Sequence, residues 1–384
     1  MRFFLAVLIA ATSFAADRRP LVVISVDGMD HRYLRDRDQL GMKIPNIRRL
    51  IAGGQWADGG VVGVMPSETF PAHTTMMTGK LPHQHGILQN DNPTTGQRNW
   101  FTSQIQAPTL WDAAQSAGLK TASVEWPVTV GARIDFDFPE KFNPKTGSDQ
   151  MTLEDHAPVT TPGLIDRISA KYPSFATGRI DDRNRTLVVL YLLQEAKADF
   201  IMLHLVDHDG AAHRFNPFSR ESIATLELVD EYLGRIMAVL PKTGVIALVS
   251  DHGFERAERA ISLKNFRADV EVHSKVAIAG RADAAERLRS SGLVGREITQ
   301  DELRRYAPQW AGKFAFEPPV NAVFGDEPLK SSRGTHGFWP RRSDYRASFV
   351  LWGNGVKPER IREIEMTSLA ARFADVLGVR FPGN

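Results

Sequence analysis

The chain has no cysteine, which excludes disulfides, thiolate metal sites, iron–sulfur clusters and a cysteine nucleophile. Any metal site must then be assembled from histidine, carboxylate and hydroxyl. Excess charge of one sign is missing too: 47 Lys+Arg stand against 45 Asp+Glu, a formal net charge of +2 over 384 residues. That balance argues against a nucleic-acid scaffold or an acidic interaction tail. No apolar run approaches the roughly 20 residues of a membrane-spanning helix, and neither an internal repeat nor a low-complexity tract is present. What remains is an ordinary globular composition, 42% hydrophobic and 24% charged, long enough for two domains or one large α/β domain with an insertion.

The N-terminus indicates a compartment. Arg2 precedes an apolar run from Phe3 to Ala11; Thr12 and Ser13 follow, with Ala15 at a cleavage-type position and Asp17-Arg18-Arg19 ending the apolar character. This pattern predicts a signal peptide over residues 1–15, too short for permanent insertion in a membrane. The protein is then secreted or periplasmic, with residues 16–384 as its catalytic domain. A buried N-terminal strand or an uncleaved anchor is the alternative.

Three nearly continuous apolar runs have strand length: 21–26, 200–206 and 245–249, with 347–352 as a fourth. Runs without alternation suit strands buried on both faces of a parallel sheet. Helical patterns lie between them, at 109–117, 186–198, 221–239 and 366–377. Strands alternating with helices predict an open, mostly parallel α/β sheet flanked by helices. The stretch from about 255 to 333 differs, mixing short strand candidates (271–273, 275–279) with a charged helix near 284–291. It reads as an inserted cap subdomain.

The first three strands end in acid: Asp27, then Asp207 and Asp209, then Asp251. Ligands of open α/β sheets bind outside the carboxyl ends of the strands. One such Asp is a common turn or cap residue, but here His213 follows Asp209 by four positions and His252 directly follows Asp251. Asp with His is the donor set of zinc or a similar ion where thiolates are absent. A hydroxyl stands nearby: residues 65–79 read as a turn and a helix, with Pro71 in the first turn and Gly79 at the stop. Thr69 falls at that helix N-terminus, where dipole and free N–H groups favour an alkoxide and a phosphate. It is either a nucleophile activated by a metal or simply the helix cap.

These residues resemble the nucleotide pyrophosphatase/phosphodiesterase family of the alkaline phosphatase superfamily. The motifs that carry the resemblance are Val26-Asp27-Gly28, Pro66-Ser67-Glu68-Thr69-Phe70-Pro71-Ala72-His73-Thr74, His85-Gly86-Ile87, Asp209 to His213, Asp251-His252-Gly253 and Gly334-Thr335-His336-Gly337, in family order. The resemblance implies an alkaline-phosphatase-like fold and two zinc ions. One is held by Asp27, Thr69, Asp251 and His252, the other by Asp209, His213 and His336; manganese or iron suits the same ligands. It makes Thr69 the nucleophile, forming a transient phosphothreonine, and Asn90 a phosphate contact at the family's spacing. Asn90 also suits a turn in Asn90-Asp91-Asn92-Pro93. Phe70 matches an aromatic that stacks a nucleobase, and equally a helix-entry staple. Family spacing selects Asp209 over Asp207, which is left to orient a ligand; His204 and His208 are supporting or core residues. Asn216-Pro217 replaces the family's Gly-Pro.

Within the superfamily, a formylglycine motif of sulfatases is absent, and Val124-Glu125-Trp126-Pro127 stands where related monoesterases carry Lys-x-Arg. Trp-Pro resembles the diesterase branch, and a diester needs less cationic help than a dianionic monoester. The expectation is an exported phosphodiesterase or nucleotide pyrophosphatase acting on a small-molecule substrate. The segment 255–333 and the loops around Trp100 and Trp126 would select the leaving group. A phosphomonoesterase or phosphonate hydrolase is the nearest alternative, and a non-catalytic binding protein the more distant one.

Overall fold

The structure, a computed structural model, describes residues 19–142, 152–176, 179–342 and 344–381. The expected leader over residues 1–15 lies outside them. An eight-stranded sheet runs in the order Glu359–Ile361, Gln55–Ala57, Phe349–Gly353, Val245–Val249, Leu21–Val26, Phe200–Leu205, Thr121–Val124, Phe136–Phe138. Within it only Phe349–Gly353 runs against its neighbours. The central strand explains the continuous apolar runs: Val22, Ile24 and Val26 face one core and Leu21 and Val23 the other. Each face needs its own hydrophobic side chains, so no polar position alternates.

Helices cover both faces, and their caps are readable in the sequence. Thr109 accepts the amide of Asp112 to start Leu110–Ser116, and Ser219 accepts that of Ser222 to start Arg220–Val239. The helix expected from 186 begins a turn earlier, at Asp182, because Asp181 caps it through the amide of Asn184. It ends as a π-helical turn over Leu192–Ala196, stopped by Lys197 in the left-handed region (φ 53°).

The segment around 255–333 forms a layer of its own. Four antiparallel strands, in the order Val270–His273, Val276–Ala279, Phe314–Phe316, Glu297–Ile298, carry the helix Ala282–Ser290 over a small core that includes Val270, Ala277, Leu288 and Phe316. Its two ends pair with each other, Glu255–Ala257 against Arg333–Thr335, so the layer leaves and rejoins the main body at one place. The strand expected from Lys275 starts one residue later. His273 pairs with Val276, which makes Ser274 and Lys275 a two-residue turn, with φ of 41° and 62°. Positive φ at both central residues is what a hairpin of this twist requires.

Candidate active site

Register brings the acidic strand ends together. Val26 pairs with Leu205, Ser25 pairs with Val249, and the Asp27 amide donates to Leu205 O at 2.8 Å. Asp27, the helix Asp207–Phe215 and Asp251-His252 therefore emerge side by side at the carboxyl edge of the sheet. Gly28, in the left-handed region at φ 69°, turns the chain so that its amide donates to Asp251 Oδ1 at 3.0 Å.

Each buried carboxylate is anchored by one oxygen and offers the other. Asp251 Oδ1 accepts from the amides of Gly28 and His252, both at 3.0 Å. Asp27 Oδ2 lies 3.1 Å from His204 Nε2. The remaining atoms, Asp27 Oδ1, Asp251 Oδ2 and His252 Nε2, have no hydrogen-bond partner. They nevertheless cluster: His252 Nε2 is 3.3 Å from Asp27 Oδ1 and 3.2 Å from Asp251 Oδ2. Donors about 2.0–2.1 Å from a tetrahedral zinc stand about 3.3 Å apart, so these three atoms fit around one ion. A second group lies alongside, with Asp209 Oδ1 at 3.5 Å from His213 Nε2 and 4.0 Å from His336 Nε2. Asp209 also falls within 4.8 Å of the Asp27 and His252 ligand atoms, which makes the two groups neighbours.

The histidines are held in the tautomer that a metal needs. A backbone carbonyl only accepts, so Nδ1–H must donate from His213 to Gly334 O (3.0 Å), from His252 to Gly253 O (3.1 Å) and from His336 to Ser67 O (3.2 Å). Nε2 of each ring is then the lone-pair nitrogen. Burial pushes the His252 pKa down to about 3 and lowers those of His213 and His336, so all three rings are neutral at pH 7. Asp27 moves the other way: burial first, then the charges of Asp251 and Asp209, hold its pKa well above the ordinary carboxylate value. Crowded buried carboxylates call for a cation. The residues fit a pair of metal ions.

Thr69 is the first residue of the helix Thr69–Thr78; Glu68 is the cap, and no side chain caps the helix. Its hydroxyl is therefore not consumed by capping. His73 joins this helix to the carboxylates, with Nδ1 donating to Thr69 O at 2.8 Å and lying 3.8 Å from Asp251 Oδ2. The helix end offers phosphate fewer N–H donors than its position promises, because Pro71 has none and the Phe70 amide donates to Asn90 Oδ1 at 2.8 Å.

That bond settles which end of the Asn90 amide is available. With Oδ1 occupied by Phe70, and the Asn90 amide held by Glu68 Oε2 at 3.1 Å, the side-chain NH2 is the remaining donor. The local turn is made by Asn92, whose Oδ1 accepts from Thr94 and Thr95. Asn90→Ala is expected to lower kcat/KM by about 10- to 100-fold, the worth of one hydrogen bond to a charged group, whereas Asn92→Ala should change it less than about threefold. Steady-state kinetics of both variants checks this.

Several expectations are corrected. Asp207 is not brought to the cluster: its Oδ2 accepts the Asp182 amide at 3.2 Å and its Oδ1 lies 3.6 Å from Arg185. Phe70 is packed into the core in this structure. The ring is 1% exposed, edge-on to Trp100 and covered by the Arg98 guanidinium 5.4 Å from its centroid, so it has no open face for a base, and it sits at the second helical position rather than before the cap. Trp126 is buried against His73 of the helix Thr69–Thr78. His208 is a core residue, as expected, bonded to Thr225 Oγ1 at 2.9 Å.

Sequence reasoning missed Glu140, which lies 3.3 Å from His204 Nδ1 and so completes a Glu140–His204–Asp27 chain. It also missed Lys275, whose charge acts on His213, His252 and His336. The hairpin pattern around 271–279 could have put Lys275 at a tip, but nothing local says where that tip points.

A family model described as type I phosphodiesterase / nucleotide pyrophosphatase matches residues 21–312. The venom phosphodiesterase of Macrovipera lebetinus is 27% identical over 89% of this chain and 41% of its own length. Human ectonucleotide pyrophosphatase/phosphodiesterase family member 1 is 27% identical over 65% of this chain and 25% of its own. The chain thus spans less than half the length of these relatives. The structure of murine ectonucleotide pyrophosphatase / phosphodiesterase 5 superposes with a TM-score of 0.67 at 18% identity, covering 95% of this chain and 97% of that one, a likeness of fold.

Proposed function

The chain belongs to the type I phosphodiesterase / nucleotide pyrophosphatase family, and from that premise we propose that it hydrolyses phosphodiester or pyrophosphate bonds through a phosphothreonine on Thr69. The observation that carries this reading is the set of unpartnered donor atoms of Asp27, Asp251 and His252 at 3.2–3.3 Å spacing, tied through His73 to the helix that begins at Thr69. Zinc ions at the two groups, one on Asp27, Thr69, Asp251 and His252 and one on Asp209, His213 and His336, would lower the pKa of the threonine hydroxyl and of water and offset phosphoryl charge. Manganese or iron suits the same donors.

In the first displacement Thr69 Oγ1 forms the bond to phosphorus and the bond to the leaving oxygen breaks. That oxygen keeps the electron pair and ends protonated, while the threonine proton is lost. In the second, a water oxygen attacks the phosphothreonine, the bond to Thr69 breaks, and the hydroxyl regains a proton as the phosphate monoester departs. Asn90 donates its NH2 to an equatorial oxygen in both steps, where charge is greatest in the transition state. His204 and Glu140 keep Asp27 oriented, and the Nδ1 bonds keep the histidines oriented. Residues 1–15 would export the chain, placing this chemistry outside the cytoplasm.

The test compares zinc-loaded protein on the p-nitrophenyl ester of thymidine 5′-phosphate and on p-nitrophenyl phosphate. The diester should be preferred in kcat/KM by at least about tenfold. Preference for the monoester would overturn the reading in favour of a phosphomonoesterase.

A further inference from the structure

Of the three histidines in the cluster, His336 is held least by its own stretch of chain. His213 is carried by the helix Asp207–Phe215. The His252 amide donates to Asp251 Oδ1 at 3.0 Å, and its carbonyl accepts from Ser250 Oγ at 2.8 Å. His336 instead lies one residue past Thr335, where the short pairing of Arg333–Thr335 with Glu255–Ala257 ends. The bond from Thr335 Oγ1 to the His336 carbonyl is 3.5 Å long. Gly337, which follows, turns the chain at φ 94°, a conformation that favours glycine.

Tyr345 supplies the missing anchor. Its hydroxyl accepts the Gly337 amide at 2.9 Å and donates to Ser67 Oγ at 3.0 Å. The Ser67 carbonyl in turn accepts from His336 Nδ1 at 3.2 Å. These bonds close a circuit through Tyr345, Ser67, His336 and Gly337. Ser67 stands two residues before Thr69, so the circuit ties the histidine to the segment that leads into the nucleophile helix. Tyr345 is 1% exposed, and burial raises the pKa of its phenol, which keeps the O–H available to donate. Its own backbone is rooted in the main body: the Arg346 carbonyl accepts the His31 amide at 3.0 Å, and Ala347 exchanges bonds of 2.8 and 3.2 Å with Val61. Gly253, the residue after His252, packs so closely on Arg346 that an added Cβ would lie 2.7 Å from its amide nitrogen.

The position fixed in this way matters to the second donor group. The His336 ring lies face to face with His252, 3.8 Å between centroids and 7° between planes, and its Nε2 is 4.0 Å from Asp209 Oδ1. A small shift of the turn would move Nε2 relative to Asp209 and His213. Asp27, Asp251 and His252 have separate anchors and would stay in place. Partners that orient a metal-ligating histidine are typically worth about 10- to 100-fold in metal affinity. We propose that Tyr345 is a positioning residue for the ion on Asp209, His213 and His336, holding that ion's third ligand against the segment that carries Thr69. This rests on the two-metal reading above and deepens it, because a side chain outside both donor sets governs how firmly one of the two ions is held.

Tyr345 also packs edge-on against Phe338, 5.5 Å between centroids, so the test must separate hydroxyl from ring. Tyr345→Phe keeps the ring and removes only the hydroxyl. Chelator-competition titration without substrate should show one of two zinc ions per chain weakened by about 10- to 100-fold, the other changing less than about threefold. His336→Ala weakens the same ion. Adding Tyr345→Phe to it should cost less than about threefold more, because the hydroxyl acts through the missing ring. Tyr33→Phe controls for the loss of equivalent buried bonds: the Tyr33 hydroxyl accepts the Phe218 amide at 2.7 Å and donates to Ser222 Oγ at 3.1 Å. It should lower the melting temperature of stripped protein comparably and leave both zinc affinities within about threefold. Ser67→Ala opens the same circuit at its other end and should weaken the same ion, which keeps the proposal testable if Tyr345→Phe does not fold. Unchanged affinity in Tyr345→Phe, or in Ser67→Ala where only that variant folds, would overturn the proposal. So would equal weakening of both ions, additive losses in the double variant, a matching loss in Tyr33→Phe, or fewer than two zinc ions on the wild type. Diester turnover by the wild type is measured separately: protein that binds both ions and cleaves no diester refutes the phosphodiesterase reading, while the titrations still decide the role of Tyr345.

Discussion

Thr69→Ala is expected to lower kcat by at least about 10³-fold, the scale seen when a covalent nucleophile is removed, while thermal stability and bound metal change little. The separation follows from the position of the side chain. Thr69 is partly exposed and caps nothing, with Glu68 as the cap residue, so truncation leaves no core cavity and no unsatisfied cap, and alanine is a good residue within a helix. The metal groups keep three protein donors on one side, Asp27, Asp251 and His252, and three on the other. Thr69→Ser retains a hydroxyl on the same backbone and should retain a substantial part of the activity. Steady-state kinetics, melting curves and metal analysis of the two variants check the expectation together. Full turnover by the alanine variant would remove Thr69 from the mechanism.

Stripping the protein of metal should abolish turnover and also weaken the fold. The apoprotein keeps Asp27, Asp209 and Asp251 crowded together with Asp27 and Asp251 almost wholly buried. An ion present at a thousand times its Kd stabilises by about 4 kcal/mol. With about 2.1 cal/mol/K of unfolding entropy per residue, a 384-residue chain loses roughly 5 °C of melting temperature for that amount. The pH dependence has a definite sign. Because the folded pKa of Asp27 is raised by burial and by its carboxylate neighbours, its ionisation costs the apoprotein stability as pH rises above the ordinary carboxylate value, whereas bound metal removes that cost. With the His252 pKa at about 3, that ring does not compete for protons near neutrality. The gap between metal-loaded and stripped protein should therefore widen from mildly acidic to neutral pH. Calorimetric melts with chelator and after zinc is restored measure it; identical midpoints would contradict a metal role for these residues.

Much of the site was legible because its logic is local. Asp27, Asp209 and Asp251 each follow a continuous apolar run, and a parallel sheet places such ends at one edge by register alone. His213 lies four residues after Asp209 on one helix face, and Pro71 and Gly79 bound the helix of Thr69. The choice between Asp207 and Asp209 could not be made from chemistry, since both are helix-entry aspartates; it depends on Arg185 and Asp182 drawing Asp207 away. Phe70 and Trp126 show a related difficulty. An aromatic beside a reactive residue looks the same in sequence whether it faces substrate or core, and here Arg98, Trp100 and His73 cover them. Glu140 and Lys275 were out of reach because their roles exist only through tertiary contacts, across the sheet to His204 in one case and from the separate small layer in the other.

The central claim is a covalent phosphothreonine at Thr69, and rapid acid quench during turnover followed by peptide mass mapping tests it most directly. The account predicts one phosphate on the peptide containing Thr69, absent from Thr69→Ala protein and lost again on a chase without substrate. A working enzyme that carries no phosphate at steady state or in the burst, or carries it on another residue, would contradict it.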